Sequence, residues 1–138
     1  MSNGGGAEST SDAVADSEAV LGPITLVVPA AIEMTGTIRL VSAASGAEAG
    51  FTLDEIDDLR LAASETFAAA VDGLTPDDRI TVVFENSAHA VSVTFSNDSL
   101  SPIELDELGE QIVRSGVDEF VVGDRSVRLG KHASGDGD

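Results

Sequence analysis

Few groups in this chain are equipped for chemistry. There is no cysteine, so thiolate metal sites and disulfides are excluded, and stability does not depend on redox state. The two histidines stand alone. His89 falls in an expected hairpin loop and His132 in an expected tail, and neither has a ligand partner beside it. The densest carboxylate run, Asp54, Glu55, Asp57 and Asp58, has the oxygen donors a hard cation needs. The same run lies in the first turns of an expected helix, where negative charge is favoured by the unpaired N–H groups and the helix dipole, and that placement explains it without a metal. Gly4-Gly5-Gly6 has no strand before it and reads as linker, not as a phosphate-binding loop.

Such residues act only if a fold positions them. A length of 138 residues with 42% hydrophobic content is enough for one core and one domain. The charge is lopsided, with 25 acids against seven bases. Six acids (Glu8, Asp12, Asp16, Glu18, Asp136 and Asp138) lie in the expected tails, which leaves 19 on the body against all seven bases. A surface of that sign repels phosphate backbones and anionic membranes, so no nucleic-acid or membrane partner is expected. The acidity suits either solubility in a salty cytoplasm or recognition of a basic partner. No apolar run reaches the roughly 20 residues of a membrane span, and the N-terminal stretch is acidic where a signal peptide is basic, so a cytoplasmic location is expected.

Residues 1–20 hold little to bury and are expected to be a disordered acidic tail, as are residues 132–138; residues 21–131 form the domain. Ile24 to Val28 is a β-rich run closed by Pro29. Met34, Ile38 and Val41 recur at helical spacing, which predicts a helix from Ile32 to about Ala44 with Gly46 and Gly50 at its exit. Thr52 and Glu55 form a capping-box pair flanked by Phe51 and Ile56, and Ile56, Leu59, Ala63, Phe67 and Ala70 make one apolar stripe behind it. Ile80, Val82 and Phe84, then Val91, Val93 and Phe95, alternate as two antiparallel strands joined through Asn86 to His89. Ser101, Pro102 and Glu104 predict a third capped helix with Leu105, Leu108 and Ile112 inward and Gly116 at its end. Val117 to Val122 and Arg125 to Leu129 turn on Gly123-Asp124 as a final hairpin. The order β-α-α-β-β-α-β-β predicts an α/β two-layer sandwich of the α+β kind, with a mostly antiparallel sheet and its helices on one face.

That order, with the phrase Asp57-Asp58-Leu59-Arg60-Leu61-Ala62-Ala63-Ser64-Glu65 and the closing stretch from Leu108 to Lys131, resembles the RsbW-type anti-sigma factors and serine kinases of the histidine-kinase-like ATPase fold, over about residues 24 to 131. The resemblance implies that Glu65 corresponds to a glutamate that handles the attacking hydroxyl. Four residues on, where active members carry an asparagine that holds magnesium on the triphosphate, this chain has Ala69, which offers no oxygen. The aspartate that reads adenine falls on Asp98 or, with a one-residue shift, on Asn97; under either alignment the spaced glycines after it are replaced by Ser99-Leu100-Ser101. Only five residues separate Phe95 from Ser101, too few for a nucleotide lid, and Glu104, Asp106 and Glu107 put negative charge where a triphosphate needs positive.

The resemblance therefore implies a degenerate member in which Glu65 and Asp98 (or Asn97) are vestigial and the ATP and magnesium of the family are lost. The expected function is partner switching: control of transcription by binding a sigma factor or its antagonist, without ATP turnover. Two alternatives are an ATP-dependent anti-sigma serine/threonine kinase with a rearranged site around Glu65 and Asp98, and a non-catalytic subunit. Such a subunit would pair with an active paralogue through a family dimer surface, which the chain could also use to form a homodimer.

Overall fold

The computed structural model describes residues 22–99 and 101–134. The tail expected over residues 1–20 lies outside the described residues, as do residues 135–138. The elements are β1 (Ile24–Pro29), a 3₁₀ turn (Ile32–Met34), α1 (Thr35–Glu48), α2 (Leu53–Val71), β2 (Arg79–Ser87), β3 (Ala90–Asn97), α3 (Glu107–Gly116), β4 (Glu119–Val122) and β5 (Ser126–His132). The five strands form one antiparallel sheet in the order β1-β2-β3-β5-β4, the α+β architecture that the sequence predicts.

Strand alternation decides which face the helices cover. Ile80, Val82 and Phe84 of β2, Val91, Val93 and Phe95 of β3, and Val127 and Leu129 of β5 are all buried beneath them. The intervening residues, among them Thr81, Ser92, Thr94 and Arg128, lie on the open face. Above the covered face, α2 is the central helix, in contact with α1, α3 and the sheet. Its stripe of Leu59, Ala63, Phe67 and Ala70 is buried as the periodicity predicts, joined by Ala62 and Thr66.

The helix entrance is fixed by the predicted capping box. Thr52 Oγ1 accepts from Glu55 N at 3.1 Å, and Thr52 N donates to Glu55 Oε1 at 2.8 Å. The second carboxylate oxygen has a partner that no local pattern announces: Ser134 N donates to Glu55 Oε2 at 2.8 Å. With the Thr52 backbone N–H, and after it Ser134, donating to its charged form, the Glu55 carboxyl is held down from an ordinary 4.5 to about 2.

Four boundaries differ from the sequence reading. α1 runs through Gly46 and stops only at Gly50, whose φ of +84° suits glycine. Phe51 N donates to Gly46 O and Gly50 N to Ala47 O, the bond pair that closes a helix on a left-handed residue. Gly46 is needed for contact, because a Cβ there would stand 3.0 Å from the Phe51 ring and 3.2 Å from Ile56. α3 begins at Glu107, not Ser101, because Asp106 supplies the cap, accepting from Gly109 N at 2.7 Å, while the backbone of Ser101 is bonded to Asn97 instead. That shift turns the helix: Gly109, Val113 and Gly116 face inward and Leu108 is 65% exposed. β4 starts at Glu119 rather than Val117. At the far end β5 continues through His132, and Ala133 N donates to His89 O, so the bonded body extends past residue 131.

Phe67→Ala is expected to destabilise the domain by about 3 to 5 kcal/mol, since a fully buried ring is removed from the centre of the core; denaturant titration measures it, and a loss below about 1 kcal/mol would mean the site is not packed as described. A second expectation concerns pH. Because the folded state lowers the affinity of Glu55 for a proton, its stabilising contribution is fully present above 4.5 and is lost as pH falls towards about 2. The melting temperatures of the parent and Glu55→Gln should differ near neutrality and converge at the acid end; a constant difference would show that the charge is irrelevant.

Candidate functional site

The C-terminal half of α2 and the chain entering α3 enclose a cleft of about 320 Å³. Glu65 and Ala69 line it from α2 and Asp72 from the residue just past its end, with Glu104, Asp106 and Gly109 on the opposite side. The first three recur at i, i+4 and i+7, one face of a helix. The fold thus brings Glu65 and Ala69, singled out in the sequence, to one wall. Of the three acids noted near α3, Glu104 and Asp106 reach the cleft and Glu107 does not.

Glycine sets how closely α3 packs on its own cap and on α2. A Cβ on Gly109 would stand 3.0 Å from Asp106 Oδ1 and 3.8 Å from Glu65 Oε1, and one on Gly116 would stand 3.0 Å from the Asp58 carbonyl oxygen. Below this contact Lys131, buried on the covered face of β5, donates to Gly116 O at 2.8 Å and lies 3.9 Å from Asp58 Oδ2. Its ammonium satisfies a carbonyl at the end of α3, where positive charge is favoured. Lys131 escaped sequence reasoning, although the alternation Val127, Leu129, Lys131 turns it inward. Asp72 was missed as well, although it is seven residues beyond Glu65.

Asn97 and Asp98 are on opposite sides of the strand end and neither lines the cleft. Asn97 is buried at 6% exposure, where Oδ1 accepts from Ser101 N and Ser99 Oγ and Nδ2 donates to Ser101 O, all at 3.0 Å. Asp98 is exposed and uses Oδ1 to accept from Arg79 N at 3.1 Å, closing the end of the β2–β3 pair. The segment that follows is longer than the sequence reading allowed, since α3 starts late, but it is tied down: Ile103 is 3% exposed and belongs to the core.

Chemically, the cleft concentrates Glu65, Asp72, Glu104 and Asp106, and no Lys, Arg or His is among the described residues that line it. Among the described residues no group of three His, Cys, Asp or Glu is placed to hold a metal ion. His132 is exposed at the end of β5, its N donating to Asp118 Oδ2 at 2.7 Å, and His89 sits in the tight β2–β3 turn with φ of +71°. A smaller depression of about 200 Å³ lies on the open face of the sheet, crossed by the Arg128–Glu119 ion pair at 3.1 Å. No helix among the described residues is long and apolar enough to cross a membrane.

No protein-family profile and no curated protein matches the chain. Among solved structures it is similar to the crystal structure of the RsbU and RsbW domains of Rv1364c from Mycobacterium tuberculosis, with a TM-score of 0.60 and 18% identity over 82% of this chain. The match covers 32% of that chain, so this chain spans about a third of its length. At that identity the likeness is one of fold, and it agrees with the RsbW-like fold expected from the sequence.

The two residues at the end of β3 should respond unequally to truncation. Asn97→Ala leaves part-buried backbone groups of Ser101 without partners and is expected to cost about 1 to 3 kcal/mol, while Asp98→Ala, at an exposed edge, should cost less than about 1 kcal/mol. Equal losses in denaturant titration would contradict the described roles.

Proposed function

We propose that this chain is a partner-switching regulator of the anti-sigma type that works by binding a protein, a sigma factor or its antagonist, and turns over no ATP. One observation carries this reading: Ala69, at the position where the resemblance calls for a metal-holding asparagine, faces a cleft whose charged residues are all carboxylates. A magnesium triphosphate needs oxygen ligands in near-octahedral array, and a methyl group supplies none. Its phosphates also carry negative charge, and each unit pair of like charges 4 Å apart costs about 1 kcal/mol even in water. Glu65 lines the cleft, but a general base has no role without a phosphoryl donor to direct. Partner binding is the activity that remains when nucleotide chemistry is removed from this fold.

The test is a thermal shift with millimolar ATP and magnesium. A site with a dissociation constant of about 10 μM would add roughly 2.7 kcal/mol of stability at hundredfold excess, and no shift is expected. A shift of that size requiring both ATP and magnesium would overturn the reading in favour of the kinase. Ala69→Asn is expected to remain without nucleotide binding, because the carboxylates are still in place.

A further inference from the structure

We infer that the acidic cleft continues into an apolar groove beside β4, and that the two form one trough that docks a basic, amphipathic segment of the protein partner. This inference rests on the reading of the chain as a protein-binding regulator, and adds the surface and the chemistry of what it binds. The groove, about 330 Å³, is lined by Ile103, Leu105, Phe120 and Val122, with Glu104 and the Arg114-paired Glu110 as its charged residues. Glu104 and Leu105 line both depressions, which makes them contiguous. Val122, on the edge strand of the sheet, is 56% exposed, so the groove has an uncovered apolar side chain at its rim.

Charge selects the occupant. The cleft half presents only carboxylates, and a second copy of a chain with net charge −18 would bring more of the same sign. A metal ion or polyamine would answer the acidic half and leave the apolar half open to water. A segment with Arg or Lys on one face and large apolar side chains on the other answers both, the apolar anchors in the groove and the cations along the carboxylates. Two residues that line the groove already hold one guanidinium: Arg114 lies over the Phe120 ring, 4.7 Å from its centre, with Nε bonded to Glu110 at 2.7 Å.

The probe is a short fluorescein-labelled peptide of Leu and Arg at amphipathic helical spacing, titrated with the full chain at physiological salt and read by anisotropy; the control peptide has Ser in place of Leu. The probe is expected to bind at least about tenfold more tightly than the control. Glu104→Lys and Val122→Ser should each weaken it by about tenfold, while Glu48→Lys and Asp54→Lys, reversals on exposed residues away from the trough, should change it less than about twofold. All four sites are exposed, and unchanged melting curves would establish that each variant is folded. Equal binding of the two peptides, equal loss from the remote reversals, or no loss with Val122→Ser would each overturn the trough. Self-association abolished by Val122→Ser would overturn it in favour of a second copy. The outcome is separable from that of the functional reading: a trough that fails while Mg-ATP leaves the melting temperature unchanged moves the partner to another surface, whereas Mg-ATP binding sinks the regulator reading whatever the peptide does.

Discussion

The close approach of α3 to α2 is the constraint on which the rest of this structure depends. It is made at Gly116, with the buried Val113 about one turn before it, while Gly109 on the same face leaves room for the Asp106 cap. A glycine in a helix costs about 1 kcal/mol relative to alanine, and the cost is offset where a side chain would drive the helices apart. At Gly116 the neighbour is the backbone carbonyl of Asp58, which cannot swing away as a flexible side chain could. Lys131 completes the contact from the sheet, bridging the last turn of one helix and the first turns of the other.

From that approach follows the chemistry of the cleft. With α3 held against α2, the capping Asp106 and the preceding Glu104 come to stand opposite Glu65 and Asp72. The carboxylates are brought together by packing that occurs elsewhere, on glycine and valine. Like charges in one cleft oppose folding slightly, and the opposition is relieved by a cationic ligand.

Much of this arrangement was legible in the sequence. Among the described residues, alternation identified the strands and helical spacing identified α1 and α2, whereas the inward stripe expected for α3 was misplaced; the Thr52–Glu55 capping box was readable because it is local, spanning three residues. The start of α3 was not, because two cap signals compete there. Ser101 followed by Pro102 and Glu104 has the pattern of a helix start, but Asn97 bonds the Ser101 backbone and Asp106 supplies the cap actually used. Which signal prevails is decided by Asn97, a buried side chain at the end of another element, and local spacing carries no record of that. The same holds for Gly109 and Gly116. Their pattern marks a bare helix face, but what meets it, the Asp106 cap at Gly109 and the backbone of α2 at Gly116, is apparent only once the chain has folded. Glu65 and Ala69 were found through a family phrase, and their spacing put them on one wall; the opposite wall depended on where α3 begins.

The bond from Ser134 to Glu55 joins residues 79 apart. Closing a loop of that length costs about 4 kcal/mol of chain entropy, several times the roughly 1 kcal/mol that one hydrogen bond returns. The bond therefore cannot nucleate the fold and forms only after β5 has been zipped against β3 and has carried the end of the chain to the entrance of α2. The bond from Thr52 N to the same carboxylate closes a loop of three residues and needs no such help. One oxygen of Glu55 thus answers to the local chain and the other to the finished topology, so the proton affinity of a single side chain distinguishes a formed helix from a completed domain.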